Sequence, residues 1–405
     1  MAGAPSSFAR GGTNLERAGS HNYRVVLTTI RALGSASRSQ IAASTGLTRQ
    51  AVHSIVGRLQ EAGLVEITGA RPAATRGGRG MPGIAVELAA GGAYSLGLLV
   101  DQWGVQAVLA DFAGGIVDRL HLPLPHRSVD HVLDAASAAR DWLSAQPAAR
   151  RDRLVGAGIA LPGPFRVLGI TDVGPTGMPD LTLPTIQAEL ARRLDMPVSI
   201  HNDASAAAVA EHLYGLGRGL ESFAYIYFGF GLGAGLIIGG QLHRGRGGNA
   251  GEIAHMMVEP GGRLCGCGNR GCLERYVSVH ALAESLGLPP VGKSTFDEID
   301  RMLAHGEAGL EEWLAAAGHR LRQAINILES TLDLDAVVMG GRISAHLLQA
   351  IDRHTRPLAH SIGARARETP RLLLGRTGAD VPALGAAALP LFDAFSPKLE
   401  ALLGG

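Results

Sequence analysis

Every cysteine in this chain of 405 residues falls in one short run, Cys265, Cys267 and Cys272, with His255 just upstream. One imidazole and three thiolates are the soft nitrogen and sulfur donors of a closed, tetrahedral zinc site, and interleaved glycines let so short a loop wrap an ion. The alternatives are three unrelated small hydrophobes or a redox pair, but three scattered cysteines would not cluster beside a histidine. With no oxygen ligand and no open position, the set points to structural zinc rather than metal-assisted hydrolysis.

Glu252 and Glu274 flank this cluster, so a folded zinc loop would hold two carboxylates near each other without using them as ligands. Acceptor-only groups on a rigid support suit a polyol, which can donate several hydroxyl hydrogen bonds at once. Taken alone, either glutamate reads more readily as a solvated surface residue than as a ligand-binding one.

The elements that must position these groups are bounded by length and composition. A chain of 405 residues implies two or three domains and can bury about three quarters of its unfolded surface. Three cysteines committed to a metal fit a reducing compartment, and no apolar run reaches the roughly 18 residues of a membrane span. A cytoplasmic protein is expected. The net charge of +1 hides a segregation: residues 1–90 hold ten arginines, no lysine, four glutamates and no aspartate, or +6, leaving −5 on the rest. A basic end of this kind is the electrostatic footprint of nucleic-acid contact, the alternative being a basic tail without helical periodicity.

Periodicity is present there. Tyr23, Val26, Leu27, Ile30 and Leu33 make one apolar helical face, and Ser37 with Gln40 forms a capping-box pair opening a short helix that stops at Gly46. Thr48 is a good N-cap for a third helix with Val52, Ile55, Val56 and Leu59 inward and Arg49, Gln50, His53 and Arg58 outward. This pattern predicts a helix-turn-helix whose arginine and glutamine can pair with guanine and adenine edges in the major groove. Leu64, Val65 and Ile67, then Ile84, Val86 and Leu88, read as the two strands of a wing around a loop from Gly69 to Gly83. Arg71, Arg76 and Arg79 at its tip could follow a phosphate backbone or enter a minor groove; a solvated linker is the bland alternative.

From Ala93 onward the texture is that of an α/β core. Hairpins are expected over 94–100 with 104–109 and over 224–228 with 233–238, and strands over 154–160, 198–201 and 336–339. Helices are expected over 130–146, 183–194, 204–214, 276–286 and 309–330. Two lobes that each start with a hairpin suggest duplication.

Gly-Ile-Ala-Leu-Pro-Gly-Pro at 158–164, His-Asn-Asp at 201–203, Gly-Phe-Gly-Leu-Gly-Ala-Gly at 229–235, Gly-Asn-Ala-Gly-Glu-Ile-Ala-His at 248–255 and the cysteine cluster, in this order, resemble the ROK family of bacterial sugar kinases and sugar-responsive repressors. The resemblance implies an actin-like, two-lobed ribonuclease-H-type core with sugar in the interlobe cleft. It implies that Asn202 and Asp203 bind sugar, Asp203 being the general base in kinases. It further implies that Glu252, His255 and Glu274 line the sugar site, and that His255, Cys265, Cys267 and Cys272 hold zinc. Read without it, Asp203 could equally be the cap of a helix starting at Ala204.

Departures separate kinase from repressor. Where the family's kinases carry Asp-x-Gly-Gly-Thr-Lys, this chain has Asp101-Gln102-Trp103-Gly104-Val105-Gln106, losing a glycine, a hydroxyl and a charge useful to phosphate. The Gly-Thr-Gly of a second phosphate loop reads Gly229-Phe230-Gly231, so Trp103, Val105 and Phe230 are expected to face the space of the nucleotide phosphates. Ala254 stands where the family usually has glycine, and Pro175-Thr176-Gly177-Met178 replaces a sugar-contacting segment.

The sequence therefore reads as an α/β protein, an N-terminal winged helix-turn-helix plus a two-lobed actin-like ROK core with a zinc loop. The expected boundaries are a flexible arm over 1–20, the DNA-binding domain over 21–90, a small lobe over 91–203 completed by about 386–405, and a large lobe over 204–385. The expected function is a transcriptional regulator, read as a repressor, controlled by a sugar or sugar phosphate. Its partners would be operator DNA, the effector, and further copies of itself in a dimer or tetramer. The alternative is an ATP-dependent sugar kinase with an added DNA-binding domain.

Overall fold

The computed structural model describes residues 13–68, 84–101, 104–123, 128–164, 183–363 and 369–397. The chain divides into two units, one of residues 1–92 and 392–405, the other of residues 93–391.

Local signals build the first unit. Helix α1 (Thr13–Leu33) leads through β1 (Ser35–Ser37) into α2 (Arg38–Thr45) and α3 (Arg49–Glu61), followed by β2 (Val65–Thr68) and β3 (Ala85–Leu88). At the start of α2 the Gln40 amide donates to Ser37 Oγ at 3.2 Å while the Ser37 amide donates to Gln40 Oε1 at 2.8 Å, a closed capping box. The helix ends at Gly46, whose φ of 69° is the left-handed turn that lets α3 start three residues later. Thr48 caps α3 by accepting from the Ala51 amide at 3.2 Å. Val52, Ile55, Val56 and Leu59 are buried, as are Val26, Leu27, Ile30 and Ile41, so the three helices share one core. The strands pair antiparallel in the order β1-β3-β2, with Ile67 opposite Val86, which is a winged helix-turn-helix. Three boundaries differ from expectation, the smallest being Leu64, which precedes β2. Helix α1 already begins at Thr13, inside the segment expected as an arm, because the polar composition of 13–20 hid its start. Ile84 stands outside β3 and is 61% exposed.

In the second unit two five-stranded sheets repeat one design. The first contains β4 (Tyr94–Asp101), β5 (Gly104–Asp111), β6 (Ile116–Pro123), β7 (Leu154–Leu161) and β8 (Val198–Asn202) in the order β6-β5-β4-β7-β8. The second contains β9 (Phe223–Phe228), β10 (Leu232–Ile238), β11 (Gln241–Leu242), β12 (Ala336–Gly341) and β13 (Leu372–Thr377) in the order β11-β10-β9-β12-β13. In each, an antiparallel meander is extended by two parallel strands, so the duplication suggested by the paired hairpins is a property of the fold.

Helices α4 (Val129–Ser144), α5 (Ala148–Arg151), α6 (Leu183–Leu194) and α7 (Asp203–Tyr214) belong to the first repeat. The second repeat carries α8 (Glu274–Val277), α9 (Val279–Ser285), α10 (Lys293–His305), α11 (Ala308–Leu332), α12 (Ala345–Thr355) and α13 (Val381–Phe395). Each lobe has its own apolar core, around Leu96, Leu109 and Ile159 in the first and around Ile226, Leu321 and Val337 in the second. Helix α13 returns to the first sheet, where Ser95 Oγ donates to the Ala387 carbonyl at 2.6 Å. It crosses α7 closely: a Cβ on Gly385 would meet the Ala206 carbonyl carbon at 2.7 Å.

Candidate functional site

The C-terminal end of β8 delivers the first two site residues. Asn202 ends the strand and caps α7, its side-chain oxygen accepting from the Ser205 amide at 2.8 Å. Asp203 is therefore not the cap; it is the first helical residue, and its Oδ1 accepts from the Ala204 amide at 2.9 Å. Preceding them, His201 is buried against Arg244, and burial plus that guanidinium press its pKa down to about 3, which keeps the imidazole neutral.

The second lobe supplies the rest. Glu252 follows Gly251, whose φ of +91° and approach to the Ala234 carbonyl exclude any side chain. This turn aims Glu252 at the first lobe, where Asn202 donates a side-chain hydrogen bond to it. Glu274 opens α8 directly after the cysteine loop. All five residues expected at a sugar site, Asn202, Asp203, Glu252, His255 and Glu274, line one cavity of about 270 Å³. Its walls also include Tyr227, Arg275 and His280, which sequence reasoning missed because nothing local marks them.

Burial dominates the electrostatics. It pushes the Asp203 carboxyl up to about 6, with Arg342 and the Ala204 amide opposing. It pushes Glu252 up to about 7, aided by the charges of Asp203 and Glu274 and opposed by the Asn202 amide. Glu274 is also raised by burial, while His255, His280 and Arg275 hold it back. Three desolvated carboxyls with raised pKa values, grouped in one concave site, mark a place built to bind rather than to stabilise.

The cysteine loop forms one wall. His255 Nδ1 lies 3.6 Å from Cys265 Sγ, Cys267 Sγ lies 3.6 Å from Cys272 Sγ, and the four donor atoms lie within 4.8 Å of one another. A tetrahedron with zinc–sulfur bonds of about 2.3 Å has edges of about 3.8 Å, so the donor set fits zinc. Burial raises the Cys265 thiol and takes that of Cys272 up to about 12, so a dication at this point would supply the deprotonation that ligation requires. Outside the cluster the loop is moored by protein: the Arg263 amide donates to Tyr276 Oη at 2.7 Å, Arg320 pairs with Glu259, and Arg320 stacks over the Tyr276 ring at 4.4 Å.

Beside Asp203 the cavity adjoins a second recess, which Asp203, Pro162 and Tyr227 share. Here Arg342, following β12, reaches across the lobes to Asp101 at the end of β4, Nη1 to Oδ2 2.5 Å, with side chains only 12% and 16% exposed. Phe230 lines this recess and packs edge-on against Phe296. Val105 does not: it is buried in the core of the first lobe, because alternation along β5 turns it inward. Gln106 instead donates to Asp380 at 2.6 Å. Gln102, Trp103 and the segment Pro175 to Met178 lie outside the described residues.

On the first unit, Thr48, Arg49, Gln50, His53 and Arg58 are all exposed along α3. Arg58 is steered by Tyr23 of α1, its Nη1 donating to the phenolic oxygen at 3.0 Å. Arg71, Arg76 and Arg79 lie outside the described residues.

A winged helix-turn-helix joined to a duplicated, actin-like core with a polar interlobe cavity defines the class of protein. The chain belongs to the ROK family, whose model matches residues 103–391, and a MarR family model matches residues 15–76. It is 27% identical to the xylose repressor of Bacillus subtilis over 370 residues, 91% of this chain and 94% of that one. It is 31% identical to the N-acetylmannosamine kinase of Vibrio vulnificus over 280 residues, 66% of this chain and 92% of that one. A solved ROK family transcriptional regulator, a homologue of the Escherichia coli MLC protein, matches with a TM-score of 0.67 at 23% identity, covering 95% of this chain and all of that one. That likeness speaks for the fold. No helix among the described residues is long and apolar enough to cross a membrane.

Proposed function

We propose that this protein is a DNA-binding transcriptional repressor whose hold on its operator is set by a sugar bound between the lobes of the core. The observation that carries this reading is the conjunction of an exposed recognition helix with an interlobe cavity lined by Asn202, Asp203, Glu252, His255 and Glu274. Full-length relatives supply the context: a xylose repressor aligns along nearly the whole chain, the N-terminal unit included. In the recognition helix, Arg49 and Gln50 are the base readers, Thr48 and His53 flank them, and Arg58 with the wing arginines Arg71, Arg76 and Arg79 serves phosphate.

In the cavity, Asp203, Glu252 and Glu274 accept from sugar hydroxyls, while Asn202 donates as well as accepts. Zinc on His255, Cys265, Cys267 and Cys272 holds the loop that carries two of these groups and does no chemistry of its own. The lobes, about 93–203 with α13 and about 204–380, close on the ligand, and the functional particle is a dimer or tetramer binding a two-fold operator.

A second reading, an ATP-dependent sugar kinase, is favoured by kinases among the relatives and by Asp203 at the position of a general base. We place it second because Phe230 and the Asp101–Arg342 pair line the small recess beside Asp203, which a transferred phosphoryl group would have to enter. The test is operator binding by the full chain, with and without a panel of sugars, beside a coupled assay for sugar-dependent ADP release. Sugar-dependent change in operator affinity with no turnover supports the repressor. Turnover at about 1 per second, ordinary for an enzyme, makes the kinase reading correct.

A further inference from the structure

The sugar reading leaves open whether the effector is a free sugar or a phosphorylated one, and the cleft's charges and volumes bear on this. A phosphoryl group on a ligand in the main cavity would stay there or enter the recess beside Asp203; a third recess, lined by Arg119 and Gln106, lies beyond the Asp101–Arg342 pair and shares no residue with the main cavity. In the main cavity it would meet three carboxylates, Asp203, Glu252 and Glu274. The one arginine there already faces an acid: Arg275 Nη2 lies 2.9 Å from Glu284.

The other place is the recess beyond Asp203, reached by a substituent on whichever hydroxyl faces that residue. Its volume is only about 20 Å³, against about 270 Å³ for the main cavity. A single water needs roughly 10–15 Å³ on this measure, so the recess admits a water and not a phosphoryl group. Among its described lining residues one is a cation, Arg342, and it is spanned lobe to lobe by its ion pair with Asp101. Phe230 covers another side with a ring braced by Phe296.

Resting on the sugar-responsive reading above, we propose that the Asp101–Arg342 pair closes the recess beside Asp203 to phosphoryl groups and so restricts the effector to an unphosphorylated, uncharged or cationic sugar. The pair is a specificity device. A guanidinium released from its carboxylate is a ready phosphate partner, so the restriction depends on Asp101 keeping Arg342 engaged.

The experiment uses the full, zinc-loaded chain and its Asp101→Asn variant, with circular dichroism to verify the fold. Calorimetry compares D-xylose, D-glucose and N-acetyl-D-mannosamine, each against its own terminal monophosphate, and inorganic phosphate is titrated separately by thermal shift against a chloride control of equal ionic strength. Wild type should prefer the free sugar to its phosphate by at least about tenfold, and inorganic phosphate should not stabilise it beyond the chloride control. In Asp101→Asn the ratio of phosphate-ester to free-sugar affinity should rise by about tenfold or more, and inorganic phosphate should become stabilising. The ratio is insensitive to a uniform loss of stability. If a variant fails to fold, Arg342→Gln serves instead, and its ratio should stay within about threefold of wild type, since no cation is released. A sugar phosphate that binds wild type as tightly as its parent sugar, or tighter, overturns the restriction alone. Stabilisation of wild type by inorganic phosphate equal to that of Asp101→Asn overturns the role of the pair. A panel that neither binds nor alters operator affinity overturns the sugar reading and this inference with it.

Discussion

Asp203 shows how the site is maintained at the expense of stability. Its folded pKa of about 6 lies above the ordinary 3.8, so the folded state favours the protonated form. The sign follows: below about pH 4 the group contributes nothing, between about pH 4 and 6 stability falls because the unfolded carboxyl ionises first, and above about pH 6 the full penalty persists. Asp203→Asn keeps an acceptor for the Ala204 amide and removes the buried charge. It should therefore raise unfolding free energy in urea by about 1–3 kcal/mol at pH 8, a gain that closes as pH falls below about 4. The same variant should lose sugar response, and sugar affinity of the wild type should climb between about pH 5 and 8 as carboxylates ionise. Lower stability of Asp203→Asn at pH 8 would falsify the claim that the acid is strained. The zinc ligands make a separate prediction: the purified chain should hold about one zinc, the stoichiometry of a four-ligand site. Cys265→Ser should release it and abolish sugar response, whereas a metal-free wild type that still responds removes zinc from the function. These residues were legible because types and spacing advertise them, a lone cysteine cluster and carboxylates beside it. Arg342, Arg275 and His280 were not, since an arginine or histidine acquires meaning only when the duplicated lobes bring it to the cleft. The one signal for Arg342 was its place after Gly340-Gly341 at a strand's end.

Elements were readable where their causes are local. The capping box at Ser37, the Gly46 turn and the Thr48 cap fix α2 and α3 from four or five residues each, and all three have the geometry their chemistry requires. Strands β6 and β13 escaped notice because they are edge strands with partly exposed faces. Helices α10 and α12 went unread although each carries an apolar stripe at helical spacing, Ile299 with Met302 in α10 and Leu347, Leu348 and Ile351 in α12. The inward turn of Val105 shows the limit in the other direction: a family loop assigned it to the cleft, but pleat alternation decides where a strand residue points. For α3, exposure of Arg49 and Gln50 near its N-terminus leads to a separable outcome. Arg49→Ala should cost roughly 1–3 kcal/mol on the operator and relax base preference, while Arg76→Ala should weaken all sequences alike and lower the salt slope by about one. Gel-shift titrations over several salt concentrations on operator and scrambled DNA distinguish the two. Equal losses on both DNAs for Arg49→Ala would remove α3 from base reading.

At the scale of the whole molecule, a regulator is a machine for exchanging free energy between two ligands. A sugar can shift the protein between states only by its differential affinity for them, and coupling energies of about 1–3 kcal/mol, or 5- to 150-fold, are usual. Two features of the core suit such a change: the carboxylates and the Asn202–Glu252 hydrogen bond converge from separate lobes, and the Asp101–Arg342 pair crosses between them. A ligand that bridges the lobes therefore selects one arrangement of two otherwise independent cores. Thermodynamic linkage then makes a demand that no structural detail can relax. If the sugar weakens operator binding by a given factor, operator DNA must weaken sugar binding by the same factor. Calorimetric titration of the sugar into free protein and into protein saturated with operator should return dissociation constants whose ratio equals the ratio of operator affinities measured without and with sugar. Glu252→Gln should shrink both ratios together, since it loosens the contact that unites the lobes. A sugar affinity indifferent to operator, in a protein that sugar still dislodges from DNA, would place the effector's action outside this cavity.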